Sequence, residues 1–447
     1  MKLRPYQKDA INSIKEHFKS NQKQFICMPT GSGKTITFLS YAKENHEKIL
    51  IIVPSRELLK QVYESALLFF HKDEISRHGD IYHEDPAFSK VHIGIINSIR
   101  RDYGSLLDDE LFDLIIIDEA HHVQAASYEK IITFLDTWSF EDRPKILGVT
   151  ATPDRRDGKL LQDLLHCCTF ELHITDLIKE KYLCDLEGYR VKTNLDLTGI
   201  PFSNGDFSTI ELYRILGTKT RNDFIINTCK KEFKDRKTLI FCINVQHSKE
   251  INKLLNENGL SSRHIDSKTS SIERNVILSA FRNGDISFLC NCQLLSEGFD
   301  EPSIDGIVLA RPTLSRALFI QMIGRGLRTF PGKESCKIFD IVDNHKNLMS
   351  FNDIIEMHET FKPLDYFKSF DQLKNYIEDL RVEQAEFVIE RTQFFKEKSI
   401  DSIYAYAHMT EYLEKNNIIF QNPITFNEAS FLIWMDKLKK EYANGLN

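Results

Sequence analysis

Short apolar runs punctuate the first third of the chain. They are Gln24-Phe25-Ile26-Cys27, Ile49-Leu50-Ile51-Ile52-Val53, Val91-His92-Ile93-Gly94-Ile95, Leu114-Ile115-Ile116-Ile117 and Ile146-Leu147-Gly148-Val149, with polar, helix-like stretches between them. A half-exposed strand would alternate apolar and polar positions. Runs that are apolar nearly throughout predict parallel strands covered on both faces by the intervening helices. A second series follows at Thr238-Leu239-Ile240-Phe241-Cys242, Ser262-Arg263-His264-Ile265, Ser287-Phe288-Leu289-Cys290, Gly306-Ile307-Val308-Leu309 and Lys337-Ile338-Phe339-Asp340-Ile341. Two α/β domains in tandem, residues 1–185 and 186–350, are the simplest account. Residues 170–220 carry Gly, Pro, Asn and Asp, concentrated in Leu197-Thr198-Gly199-Ile200-Pro201-Phe202-Ser203-Asn204-Gly205-Asp206, and read as a loop-rich crossover. Over residues 351–447 the texture changes to charged residues with Phe367, Phe370, Leu373, Tyr376, Ile377 and Leu380 at helical spacing. That pattern predicts a small helical C-terminal module with the stripe as its core rather than as an exposed stacking surface.

Composition bounds the function without altering this picture. A chain of 447 residues, 42% apolar and 28% charged, exceeds the size at which a single core keeps growing. Its net charge of −7 means that any nucleic-acid site must be a local basic strip. The nine cysteines form no Cys-x-x-Cys pair and read as reduced, mostly buried thiols. Cys290-x-Cys292 lies on a predicted strand, where core packing outweighs a metal site. No apolar stretch approaches the roughly 20 residues that span a bilayer, so no membrane partner is expected. Functional-looking residues begin at Leu3, which leaves no room for a removable leader and makes the cytoplasm the expected compartment.

The first candidate chemistry is Pro29-Thr30-Gly31-Ser32-Gly33-Lys34-Thr35, between a predicted strand and a predicted helix over residues 36–43. A strand, a glycine turn and a helix start form the context of a phosphate-binding loop. Gly31 and Gly33 let backbone N–H groups turn toward an anion, and the helix N-terminus adds partial positive charge. Thr30 and Ser32 complete the cradle, Lys34 faces the β- and γ-phosphates of ATP, and the Thr35 hydroxyl can hold Mg²⁺. The general pattern wants Gly where Met28 stands. The second candidate is Asp118-Glu119-Ala120-His121, which follows the run Leu114–Ile117 and therefore sits at a strand's carboxyl edge, facing the same crevice. Asp118 would bind Mg²⁺, and Glu119 would orient and deprotonate the attacking water. Alone, an Asp-Glu pair usually does no more than begin a solvated helix.

The company these motifs keep resembles the superfamily-two helicases. Leu3-Arg4-Pro5-Tyr6-Gln7 is similar to that family's adenine-reading segment, with Gln7 and Arg4 in the pocket. Val53-Pro54-Ser55-Arg56-Glu57-Leu58 resembles its first nucleic-acid contact motif, and Thr150-Ala151-Thr152-Pro153 the motif that couples hydrolysis to domain movement through Thr150 and Thr152. Ile240-Phe241-Cys242 opens a contact motif in the second domain, and Ser296-Glu297-Gly298-Phe299-Asp300-Glu301-Pro302 contributes Gly298 and Asp300 to the nucleotide site. Gln321-Met322-Ile323-Gly324-Arg325-Gly326-Leu327-Arg328 completes the set. There the resemblance implies that Gln321 lies near the attacking water and that Arg325 and Arg328 reach the γ-phosphate from the second domain. It covers residues 3 to 345 and implies two tandem RecA-like domains.

The polar residues that follow strands, Pro54, Ser55, Arg56, Asn97, Ser98, Asn244 and Gln246, suit contact with a nucleic-acid backbone, although such residues commonly cap helices instead. The text around Asp157-Gly158-Lys159, Gly205-Asp206-Phe207 and Arg311-Pro312-Thr313 resembles the XPB/RadD-like group, which includes DNA branch-migration helicases. The expected activity is an ATP-dependent, nucleic-acid-stimulated helicase or translocase on forked or branched DNA, working as a monomer in recombination, repair or replication. An RNA-remodelling helicase and a non-catalytic, ATP-switched clamp stand as alternatives.

Overall fold

The structure is a computed structural model that describes residues 2–79, 82–84, 89–99, 112–121, 128, 130–133, 144–151, 161–197, 199–203, 206–292, 294–295, 299–344 and 388–393. In the first domain, helix α1 (Pro5–His17) precedes β1 (Lys23–Cys27), α2 (Lys34–Asn45), β2 (Ile49–Val53) and α3 (Arg56–Ala66). The strands β3 (Ile75–Gly79), β4 (Tyr82–Glu84), β5 (Val91–Ile95), β6 (Leu114–Asp118), β7 (Lys145–Thr150) and β8 (Cys168–Glu171) follow, with the short helices α4 (Gln162–Leu165) and α5 (Ile174–Lys179) beside the last. They form one sheet in the order β4-β3-β5-β2-β6-β7-β1-β8, parallel everywhere except the β3–β4 pair. The apolar runs explain its centre. Every residue of β1, β2, β5 and β6 is buried, as strands covered on both faces must be.

The second domain holds β9 (Asp185–Asp196), the short hairpin β10 (Phe202–Ser203) and β11 (Asp206–Phe207), and helices α6 (Thr209–Leu216) and α7 (Lys219–Glu232). It continues with β12 (Thr238–Phe241), α8 (Val245–Glu257), β13 (Ser262–His264), α9 (Ser271–Asn283), β14 (Phe288–Asn291), β15 (Gly306–Leu309), α10 (Arg316–Gly324) and β16 (Ser335–Asn344). Its sheet runs β13-β14-β12-β15-β16-β9-β17, where β17 (Val388–Gln393) joins β9 antiparallel and the rest are parallel. Helix starts are set locally. The side chains of Ser55, Thr218, Asn244, Ser270 and Ser315 each accept a backbone N–H from the first turn of the helix they precede.

Two expectations need correction. The stretch read as a loop-rich crossover contains the twelve-residue strand β9, paired with β16 along most of its length. Burial alternates from Asp185 to Tyr189 with Leu186 and Gly188 inward, but glycine stands where the alternation needs a second apolar residue, so the sequence pattern is weak. Of the expected helical module, residues 388–393 are a strand rather than a helix. The remainder of 351–447, with its aromatic stripe, lies outside the described residues.

The domains pack on each other. A single apolar cluster runs from Ile26, Phe38 and Val149 through Leu177 and Leu183 to Leu239, Ile307 and Ile323.

Candidate functional site between the two domains

The phosphate-binding loop hangs from β1 and opens α2. Gly31 and Gly33 have φ of 86° and 81°, values that favour glycine, and Gly33 is the residue that caps α2. Met28, where the general pattern wants glycine, is fully buried in the core, so a side chain is what this position uses. Its N–H donates to the Thr150 carbonyl at 2.8 Å, which ties the loop to the end of β7. Burial pushes the thiol of Cys27, one residue earlier, up from its ordinary range, so it stays protonated.

The adenine segment is folded onto this loop. The Tyr6 hydroxyl donates to the Ser32 carbonyl at 2.9 Å, and Arg4 donates to the Tyr6 oxygen at 2.8 Å. Gln7 accepts from the Arg4 backbone at 2.9 Å and donates toward the Ser32 and Gly33 carbonyls at 3.3 and 3.4 Å. The side chain expected to read the base thus clasps the loop.

Asp118 ends β6 and Glu119 follows in a left-handed conformation, φ 49°, unusual for a residue with a side chain. The Asp118 carboxylate accepts the Glu119 N–H at 2.9 Å, which holds that turn. Lys34 Nζ lies 3.4 Å from Glu119 Oε1, so the loop's cation and the expected base are in contact. His121 Nδ1 is 3.3 Å from Thr150 Oγ1 and 3.4 Å from Glu119 Oε2, and its Nε2 is 3.4 Å from the amide nitrogen of Gln321 on α10. With Nε2 accepting from Gln321, the ring proton belongs on Nδ1. His121 therefore touches the expected base, the expected coupling threonine and the second domain. The sequence offered it only as part of a four-letter spelling, because its contact with Thr150 depends on β6 lying beside β7.

From the second domain, Gly324 packs against Thr30, and a Cβ there would come within 2.8 Å of the Thr30 Cβ. The Arg328 stem lies over the loop, with Cγ 3.5 Å from where a Gly31 Cβ would stand. Its guanidinium pairs with Asp300, and burial lowers its pKa to about 10, which still leaves it charged at neutral pH. Arg325 is buried and donates to the Phe299 carbonyl at 2.7 Å, within its own domain. Structure thus assembles Lys34, Glu119, His121, Gln321 and Arg328 around the loop, while Arg325 and Asp300 are engaged beside it. Gly298 and Thr152 lie outside the described residues, as do Asp157 and Gly205.

The expected backbone contacts follow the carboxyl ends of β2, β5 and β12. Val53 and Ile95 are register partners, so Pro54, Ser55 and Arg56 emerge beside Asn97 and Ser98. Ser55 and Asn244 cap α3 and α8. Ser98 is buried, Arg56 and Asn97 are exposed, and Gln246 donates to Glu250 at 3.2 Å. Asp206 is buried and accepts from Arg311 at 2.9 Å, Thr313 at 2.8 Å and the Leu314 N–H at 3.0 Å. The text that marked the group is an anchoring network between β11 and the segment leading into α10.

Residues 1–155 match the family model of the type III restriction enzyme res subunit, and residues 220–329 that of the helicase conserved C-terminal domain. A Saccharomyces cerevisiae protein named as the ATP-dependent helicase IRC3 is 34% identical over 354 residues, 76% of this chain and 51% of that protein. The chain belongs to the superfamily-two helicases, in the XPB/RadD-like group. This helicase also matches the ATP-dependent DNA helicase uvsW of Enterobacteria phage T4, 24% identical over 76% of the chain and 68% of the relative. It spans about half the length of IRC3, 51%. In fold it is similar to the DNA-bound type ISP restriction-modification enzyme LlaBIII, with a TM-score of 0.58, 18% identity, and coverage of 86% of this chain and 30% of that one.

Proposed function

We propose that this helicase hydrolyses ATP between its two domains and uses the resulting opening and closing to move along, and remodel, forked or branched DNA. One observation carries the ATPase reading: the contact path Lys34, Glu119, His121, Gln321 joins the phosphate loop of one domain to α10 of the other. Only closure completes such a site. The loop suits a phosphate anion, since the buried Ser32 hydroxyl has no hydrogen-bond partner among the described residues, while Glu119 Oε2, 3.4 Å from the His121 ring, is left as an acceptor for water. Arriving phosphates would draw Lys34 from Glu119 and free that carboxylate to orient water. Thr35 and Asp118 would hold Mg²⁺, which supplies charge neutralisation on the phosphates when bound. Arg328, already over Gly31, supplies cationic charge to the γ-phosphate from the far domain.

The names of the relatives support DNA as the track. Steady-state ATPase and strand-displacement assays on linear, forked and four-way DNA beside matched RNA test this. Stimulation by branched DNA is expected. Stimulation by RNA alone would replace the reading with RNA remodelling, and nucleotide binding with no turnover on any strand would replace it with an ATP-switched clamp.

A further inference from the structure

Arg274 on α9 reaches out of the second domain and pairs with Glu57 in the first turn of α3. Its arm is fixed at the base. Nη2 donates to the carbonyls of Asp266 and Thr269 at 3.3 and 3.5 Å, in a turn that Asp266 holds by accepting from the N–H groups of Lys268 and Thr269 at 2.8 and 3.0 Å and from His264 at 3.1 Å. Arg274 is the more buried partner, with side chains 18% and 38% exposed, and its Nε has no hydrogen-bond partner among the described residues. An ion pair at this exposure contributes little to stability by itself.

Its position supplies the reason. Glu57 follows Ser55 and Arg56 at the N-terminus of α3, where the resemblance leads one to expect a nucleic-acid backbone contact, and this inference rests on that expectation and on the proposed function. A helix N-terminus and an arginine attract phosphate, whereas a bare carboxylate one residue further repels it. When the domains separate, Glu57 loses Arg274 and that repulsion acts. When they close, Arg274 neutralises it.

We propose that Arg274 is a positioning residue that couples strand affinity to domain closure by neutralising Glu57 beside the backbone contact. Linkage makes the effect reciprocal, so a strand held at Ser55 and Arg56 favours closure and thereby the complete ATP site. Glu57 is then a device for letting go of the strand after hydrolysis, rather than a contact.

Equilibrium binding of a fluorescent single-stranded DNA, and of its RNA counterpart, with and without Mg²⁺ and a non-hydrolysable ATP analogue, tests the coupling. Wild type is expected to tighten with the analogue, on the order of tenfold. E57Q is expected to bind tightly without nucleotide and to gain little from it. R274Q should lose the analogue-dependent gain, and E57Q/R274Q should return to the tight, nucleotide-independent binding of E57Q. A pair that merely braced the fold would not make E57Q bind more tightly. Analogue-dependent tightening of R274Q equal to wild type, or failure of E57Q to rescue R274Q, overturns the coupling alone. A wild type that binds neither strand in either state sinks the functional reading and the coupling with it.

Discussion

At Glu119 the backbone and the chemistry ask for the same thing. A left-handed residue at the end of a buried strand turns its carboxylate back toward Lys34. Glu119→Gln keeps the shape and removes the proposed base, so turnover should fall by roughly 10²- to 10⁴-fold with ATP still bound, read by steady-state ATPase beside nucleotide titration. Gly33→Ala would place a Cβ 2.6 Å from the Gln7 amide nitrogen at a φ of 81°. Loss of ATP affinity is expected there, because loop and base pocket are displaced together, and isothermal titration checks it. His247 shows a residue-scale effect with a pH signature. It accepts the Ile243 N–H at 3.2 Å and donates to Asn222 at 3.0 Å, while burial and then the neighbouring Arg221 hold its pKa down at about 3. Below about pH 6.5 the unfolded chain takes up a proton that the folded one refuses. Its stabilisation is therefore complete above that pH and lost as pH falls toward 3. Urea midpoints across this window should show an acid limb that is flattened in H247Q.

Among the elements, all ten apolar runs became strands, and those at the sheet centres are short and covered on both faces, whereas β13, with Arg263 exposed, lies at an edge. Periodicity reports burial directly in that case. The sheet strands it did not show, β3, β4, β8, β9 and β17, lie at sheet edges or next to them. Phosphate loop and acidic box were legible for a different reason: their chemistry is local, set by residues adjacent in sequence. His121 and Arg274 act across 29 residues to Thr150 and across 217 residues to Glu57, and no local pattern encodes such contacts. Asp206 illustrates the opposite case, text that identified a family while its role stayed hidden. Asp206→Ala leaves Arg311, only 2% exposed, without its counter-charge, which should cost about 3–5 kcal/mol in a denaturation experiment, whereas a well-packed D206L/R311M pair should recover much of it. Gly326 is a tighter constraint, because an added Cβ would collide with Cys336 Sγ and stand 2.9 Å from Ile307. G326A is expected to destabilise by about 1–3 kcal/mol and to shift Arg328 with it.

For the whole molecule, the order of segments in the chain and in space differ. Residues 388–393 come last among those described, yet they lie against β9, the first strand of the second domain. Without them β9 would present a bare row of amides and carbonyls along one side, a template on which a second copy could pair edge to edge. A chain ending at residue 350 is therefore expected to form concentration-dependent oligomers that light scattering detects, while the full chain does not. The segment that resembles an appendage in the sequence thus acts as the selvedge of the second domain's sheet. Any modification, protease or partner that lifts it would act on solubility first and on catalysis only afterwards.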